Sequence, residues 1–393
     1  MKTKKDITIL AIETSCDDTG IAIVKASKQG DTFDVLSNVI SSQTEIHKKY
    51  GGVYPMMAKR EHQRNLLPVL IQALKESKLL EKAKTQKYDF KVIKEILRRE
   101  EILYKNLVSF LQNHQKPDID AIAVTNGPGL EPCLWVGTNF TKALASFWNL
   151  PIITVNHIRA HIFVNMLENG KIKELAKNDF PVLCLIVSGG HTQLFLMKSL
   201  NKYEIVGETR DDAAGECFDK TARILGLGYP GGPAISVEAA KLEPGYKLEK
   251  LPRPMINSKD YDFSFSGLKT AVLYNYLKKS PKIKKDRKYI QAMASEIQQS
   301  VIDVLIKKTI KAAKDFEVKS IILGGGVIAN QELRKQLKEK IQKLIPNVKC
   351  LIPDNKYCTD NGLMVAIAGY FKFRENETEN WKNVGVNANL RIE

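Results

Sequence analysis

Two histidines four residues apart, His157 and His161 in the run NHIRAH, form the pair best placed to do chemistry in this chain. On a helix, positions i and i+4 share a face, so both imidazoles can reach one metal ion. Ile158 stands where the zinc-protease HExxH pattern has its glutamate, so the general base of such a protease is missing. A metal site needs a third ligand. Asp360, in the turn CTDNG after an apolar strand and before a helix, suits that role or that of an ordinary helix cap. Two histidines that merely pack or cap locally are the plainer alternative.

Other runs suit ligand binding through the backbone. Ser188, Gly189, Gly190, His191 and Thr192 follow an apolar strand, and small residues there let a ligand approach the main chain. A simple hairpin turn would need less. Asp211, Asp212 and Glu216, with Asp219 one turn on, either favour a helix dipole or hold hydroxyls and ribose. The run YPGGP at 229–233 is a rigid turn able to floor a nucleotide pocket. Gly324, Gly325 and Gly326 lead to Asn330, which is placed to reach a base or ribose just inside a helix. Each of these runs can also be plain backbone architecture.

These residues sit on elements that occur twice. Residues 7–24 (ITILAIETSCDDTGIAIV) and 181–197 (PVLCLIVSGGHTQLFLM) each read as strand, polar turn, strand. Asp17 and Asp18 lie at the first tip. Residues 119–129 (IDAIAVTNGPG) and 318–330 (VKSIILGGGVIAN) each read as a β-branched strand running into a glycine turn that opens a helix. This α/β layout resembles the actin, Hsp70 and sugar-kinase superfamily. The resemblance implies two RNase H-like lobes with a ligand cleft, where hairpin tips and glycine turns offer N–H groups to phosphates. The division expected is 1–150 and 151–393, with the last helix crossing back to the first lobe. Helical spacing marks 61–80 and 289–313, and a Lys- and Glu-rich helical insertion, a surface hairpin, over about 81–112. The stretch 278–288 (KKSPKIKKDRK) holds seven basic residues and one acid and reads as a loop or broken helix end.

The bulk figures bound the function. The 393 residues are 44% hydrophobic and 26% charged, as in a globular protein with a sizeable core. No apolar run is long enough to span a membrane, and the basic start at 1–5 leads into a first strand, not a signal peptide. Cys16, Cys133, Cys184, Cys217, Cys350 and Cys358 are scattered without a CxxC, which suits a reducing cytoplasm. The net charge of +16 fits a polyanionic partner.

Taken in order, AIETSCDDTG, NHIRAH, VSGGHTQL, DDAAGECFDK, YPGGP, FSFSGLKT, GGGVIAN and CTDNG follow the pattern of one family. The chain resembles, from residue 7 to about 368, the universal tRNA threonylcarbamoyladenosine synthesis proteins, TsaD in bacteria, once thought to be O-sialoglycoprotein endopeptidases. The resemblance implies transfer of threonylcarbamoyl from threonylcarbamoyl-AMP to the N6 amine of the adenosine 3′ of the anticodon, in tRNAs reading codons that begin with A. It implies His157, His161 and Asp360 as ligands of one divalent ion, Fe(2+) or Zn(2+). Ile186, Val187, Ser188, Gly189 and Gly190 match its donor loop, and Asp219, Gly232 and Asn330 further donor contacts. Asp17, Asp18 and His191 are the candidate catalytic groups. Ser236 stands where many relatives carry Asp, and Ala160 where Gly is common. Implied partners are tRNA, a TsaB-like paralogue and a small TsaE-like ATPase, and no membrane. A small-molecule kinase would share the lobes but not need the histidine pair, a degenerate scaffold would be expected to lose it, and a metalloprotease would need the absent glutamate.

Overall fold

The computed structural model describes residues 6–28, 32–83, 88–243 and 250–392. The basic start at 1–5 and part of the expected insertion, 84–87, lie outside them. The chain gathers into two compact units, Met1–Gln43 with Val53–Glu174 and Asp360–Ile392, and Thr44–Gly52 with Leu175–Thr359.

In the first unit, β1 (Asp6–Glu13), β2 (Asp18–Ser27) and β3 (Phe33–Ser42) form an antiparallel meander. A short helix α1 (Thr44–Lys48) follows in sequence and belongs to the second unit. Then come α2 (Pro55–Glu76), α3 (Lys91–Ile96), α4 (Glu101–Asn113), β4 (Ala121–Gly127), α5 (Glu131–Trp148), β5 (Ile152–Asn156) and α6 (His157–Phe163). The sheet order is β3-β2-β1-β4-β5, with β4 parallel to β1 and β5 parallel to β4. β5 completes this sheet, so the break between units falls after Glu174 and not at 150.

Alternation along β1 and β2 sends Leu10, Ile12, Ile21 and Ile23 into a core shared with α2, α4 and α5. In α4 the expected helical spacing holds, but Leu103, Leu107 and Leu111 are buried in that core. The helix is therefore a core element, which corrects the surface hairpin expected of the insertion. On the opposite face α13 (Gly362–Arg374), which belongs to this unit, packs on β1 and β2. A Cβ on Gly362 would lie 2.4 Å from the Ala22 nitrogen, and one on Gly20 2.7 Å from the Gly362 nitrogen. Only glycine permits so close an approach, and it fixes where α13 begins.

A small hairpin, β6 (Leu167–Glu168) and β7 (Lys171–Ile172), ends the first unit's central segment. The second unit has β8 (Val182–Val187), β9 (Thr192–Ser199), β10 (Lys202–Glu208), α7 (Ala214–Ile224), α8 (Gly231–Ala239), α9 (Ser266–Leu277), α10 (Pro281–Lys284), α11 (Arg287–Asp315), β11 (Ser320–Gly324), α12 (Gln331–Leu344) and β12 (Lys349–Leu351). Its sheet order, β10-β9-β8-β11-β12, repeats that of the first, again with the fourth strand parallel to the hairpin's first strand. The basic stretch 278–288 is the end of α9, the single turn α10 capped by Ser280, and the start of α11 capped by Asp286.

Candidate metal centre

β5 runs straight into α6, and Asn156 caps it, its side chain accepting from the N–H groups of Ile158 (2.9 Å) and Arg159 (3.2 Å). That cap sets His157 and His161 on one face of the first turns, with ring centroids 4.7 Å apart. α13 brings Asp360 to them across the sequence. His161 Nε2 lies 3.1 Å and His157 Nε2 3.6 Å from Asp360 Oδ1. One ligand atom from each of the three residues falls within 4.8 Å of the others. Asp360 is not the helix cap. Asn361 takes that place, its Oδ1 accepting from the Met364 N–H at 3.0 Å, which leaves Asp360 for the cluster.

Behind the cluster stands a residue that motif spacing does not single out. Glu13, the last residue of β1, is fully buried, and its carboxylate accepts from the Ser15 N–H and the Thr125 hydroxyl, both at 2.6 Å. Its Oε2 lies 3.3 Å from His157 Nδ1, and the Ser15 hydroxyl lies 3.1 Å from the same nitrogen. A carboxylate behind an imidazole holds the proton on Nδ1 and leaves Nε2 as a ligand. The one signal in the sequence is a charged residue closing an otherwise apolar strand, because a buried charge needs a partner. Burial pushes the Glu13 carboxyl up, but His157 beside it holds it below its usual value. Burial opposes charge on His157, yet Asp360 and Glu13 together raise its pKa to about 9. His161 Nδ1 is buried and has no hydrogen-bond partner among the described residues. Two imidazole nitrogens and a carboxylate oxygen, converging beside an orphaned ring nitrogen and backed by a buried carboxylate, fit a divalent transition metal.

Asp17 and Asp18 lie at the tip of the β1–β2 hairpin in the same unit. Asp18 is half-buried. Burial raises its carboxyl to about 7, with Asp17, Asp360 and Glu13 adding to the effect and a hydrogen bond from Ser42 opposing it. Its Oδ1 has no hydrogen-bond partner among the described residues.

The second unit carries the backbone runs. Ile186 and Val187 are buried at the end of β8. The turn beyond them is closed by the Ser188 N–H donating to the His191 carbonyl (2.8 Å) and the His191 N–H donating to the Ser188 hydroxyl (3.1 Å). Two glycines are steric necessities near this turn. A Cβ on Gly215 would sit 2.5 Å from the Ser188 carbonyl oxygen, and one on Gly325, at φ +91°, 2.4 Å from that of Val187. Gly189, Gly190 and Gly232 differ, since a Cβ there meets nothing within 4 Å. Asp219 accepts the Gly231 N–H at 2.7 Å and so seats the start of α8 on α7.

Two expectations change. Asn330 is not inside a helix but caps α12, accepting the Leu333 N–H at 3.0 Å, and its amide donates to Ser236 Oγ and Gln298 Oε1, both at 2.9 Å. The acids at 211–216 are engaged internally. Asp211 accepts the hydroxyls of Ser264 and Ser266 at 2.6 Å, and Asp212 pairs with Lys220 at 2.8 Å. They anchor the FSFSGLKT run.

Fold and site define a mixed α/β protein with two five-stranded sheets and a cluster of two buried histidines with a partly exposed aspartate. The family model described as tRNA N6-adenosine threonylcarbamoyltransferase, TsaD, matches residues 34–85 and 102–367, and the chain belongs to that family. A protein of that name from Syntrophomonas wolfei is 42% identical over 365 residues, 93% of this chain and 92% of its own. One from Thermosipho africanus is 43% identical over 369 residues, 93% and 94% of the two chains. One from Geobacillus kaustophilus is 40% identical over 388 residues, 98% and 96%. Among solved structures, full-length HypF in a phosphate- and nucleotide-bound form matches with a TM-score of 0.52 at 13% identity, over 97% of this chain and 48% of that one. The HypF of T. kodakarensis matches with a TM-score of 0.51 at 12% identity, over 95% and 49%. The chain spans about half the length of these two structures, and the likeness shows the fold alone.

Proposed function

We propose that this chain transfers the threonylcarbamoyl group from threonylcarbamoyl-AMP to the N6 amine of the adenosine 3′ of the anticodon, in tRNAs reading codons that begin with A. The observation that carries this reading is the convergence of His157, His161 and Asp360 in a member of the TsaD family. Each unit is an RNase H-like lobe of the actin, Hsp70 and sugar-kinase type, a reading supported by the identical strand orders of the two sheets. The product is N6-threonylcarbamoyladenosine, and the site of action is the cytoplasm.

His157, His161 and Asp360 hold one divalent ion, Fe(2+) in preference to Zn(2+), and the bound ion supplies Lewis acidity toward the threonylcarbamoyl group. The rest of the chemistry falls to the protein. The attacking amine is a poor nucleophile because its lone pair is delocalised into the adenine ring. The N6 nitrogen bonds to the carbamoyl carbon, the bond from that carbon to the phosphate oxygen breaks, AMP departs, and N6 gives up a proton. Asp18, with a carboxyl near 7, is matched to accept that proton at neutral pH, with Asp17 beside it in sequence. Glu13 keeps the proton of His157 on Nδ1. In the second unit, Gly189 and Gly190 take the adenylate phosphate on backbone N–H groups, where no side chain stands in the way, and Ser188 closes the turn that presents them, its own N–H held by the His191 carbonyl. His191 is the remaining candidate for contact with the leaving group. Asp219, Gly232 and Asn330 shape the nucleoside side, and Asn330 acts through the Ser236 and Gln298 network it holds. The exposed lysines of 278–288 bind the tRNA backbone without reading its sequence. A TsaB-like paralogue and a TsaE-like ATPase complete the working assembly.

The test is reconstitution with tRNA, ATP, threonine, bicarbonate, the adenylate-forming enzyme and both partner types. Mass spectrometry of digested tRNA should show N6-threonylcarbamoyladenosine only when this chain is present. Unmodified adenosine in the complete mixture would overturn the reading.

A further inference from the structure

A cavity of about 640 Å³ in the first unit uses a segment that the family model passes over. Glu95 and Ile96 line it from the end of α3 and Arg98, Arg99 and Glu100 from the α3–α4 connection, and all five fall between the matched stretches 34–85 and 102–367. The remaining wall comes from α2, α5 and the C-terminal stretch, and includes Lys59, Lys142, Trp135 and Trp381. Neither the metal cluster nor the glycine turns contribute a lining residue.

Three properties of this cavity point to one ligand chemistry. Its volume lies in the range of small-molecule sites and accommodates a nucleoside monophosphate. Its lining carries five cations, the four above with Lys382, against three acids, and two tryptophans that are each only partly covered. Such a mixture of basic groups and aromatic faces is how proteins take hold of a nucleotide, the rings stacking on the base and the cations meeting phosphate. The third property is Glu100, which is 2% exposed yet lines the cavity, and whose Oε2 has no hydrogen-bond partner among the described residues. A buried carboxylate oxygen left unpaired is costly and calls for a donor. The Watson–Crick edge of a purine with an exocyclic amine brings one.

We propose that this cavity is a purine-nucleotide site built with residues 95–100 of the unmatched segment, with the base on Trp135 and Trp381, an N–H of its edge donating to Glu100, and the phosphate met by Lys59, Arg99 and Lys142. Two sources offer that chemistry, a free nucleotide or an unpaired purine of the tRNA substrate. Only the second rests on the transferase reading.

Calorimetry on the full chain with GMP, AMP and UMP addresses the free nucleotide, and tRNA affinity addresses the other source. For a free-nucleotide site, GMP or AMP binds one per chain and UMP does not. Glu100→Gln and Trp135→Ala then each weaken binding by about tenfold, as expected when a hydrogen bond to a charged group or a stacking face is removed, with tRNA affinity unchanged. For a tRNA-borne purine, tRNA affinity falls by about tenfold in the same variants and GMP competes for it. Lys59→Ala serves as a further variant should Trp135→Ala fail to fold. Variants with wild-type melting temperatures and unchanged affinity for both nucleotide and tRNA would overturn the proposal, as would equal binding of UMP. Metal content should match wild type in every variant, so failure here leaves the transferase reading standing.

Discussion

The two units carry their candidate sites by opposite means. In the first, side chains do the work: two imidazoles and a carboxylate converge, and a buried glutamate reached only through the fold sets one ring. In the second, the backbone does it. Glycines that cannot carry a Cβ bring a turn, a helix start and a strand end together, while Gly189 and Gly190 beside them have open space. The first site thus depends on which residues are present and the second on which atoms are missing.

The largest effect should come from removing a ligand. His157→Ala, His161→Ala and Asp360→Ala should each take metal from about one ion per chain to near none by elemental analysis, with circular dichroism unchanged. Retained metal in all three would dissolve the first half of the comparison. Glu13→Gln should be milder, lowering metal affinity by about 10- to 100-fold in a chelator competition, as for carboxylates behind metal-bound histidines. An unchanged affinity would make Glu13 a plain structural residue.

The second half is tested by a pair of substitutions. Gly189→Val should weaken binding of an adenylate analogue by at least about tenfold while leaving the melting temperature alone, since its Cβ meets nothing within 4 Å. Gly325→Ala should instead destabilise the fold by about 1–3 kcal/mol, as overpacking does. If both variants lose stability alike, the open glycine serves the turn and not a ligand.

Acidity at the hairpin tip gives a smaller, signed effect. The Asp18 carboxyl titrates near 7 in the folded chain against an ordinary 3.8. Between those values the folded state holds the proton more tightly, so rising pH removes stability through that window. Asp18→Asn should therefore match wild type near pH 4 and exceed it in urea unfolding at pH 8. The reverse order would contradict burial as the cause of the raised Asp18 carboxyl. Smallest of all, serine at Lys279, Lys282, Lys284 and Lys285 should flatten the salt dependence of tRNA binding by about one unit of slope for each phosphate that a lysine no longer neutralises. An unchanged slope would remove this stretch from the tRNA footprint.

Local pattern carried much of this into the sequence. Helical spacing marked His157 with His161, and it marked Leu103, Leu107 and Leu111. The paired hairpins at 7–24 and 181–197 appear as β1–β2 and β8–β9. What pattern could not carry was partnership. Asp360 lies 199 positions from His161, and within its own turn it is indistinguishable from the cap that Asn361 provides. Glu13 looked like the end of a strand because its partners come from β4 and α6. Asp211 looked like a ligand-holding acid because the hydroxyls it satisfies are more than fifty residues on. The helix α4 looked like surface because charge between its apolar positions hid the core it completes.

The most direct test of the central claim is the modified nucleoside itself. Digested tRNA from the complete reconstitution should be compared for wild type, wild type stripped of metal and then reloaded, and Asp360→Ala. Wild type should give N6-threonylcarbamoyladenosine, lose it on stripping and regain it on reloading with Fe(2+) or Zn(2+), and Asp360→Ala should give none under any loading. Full modification by the stripped protein or by Asp360→Ala would contradict the central claim.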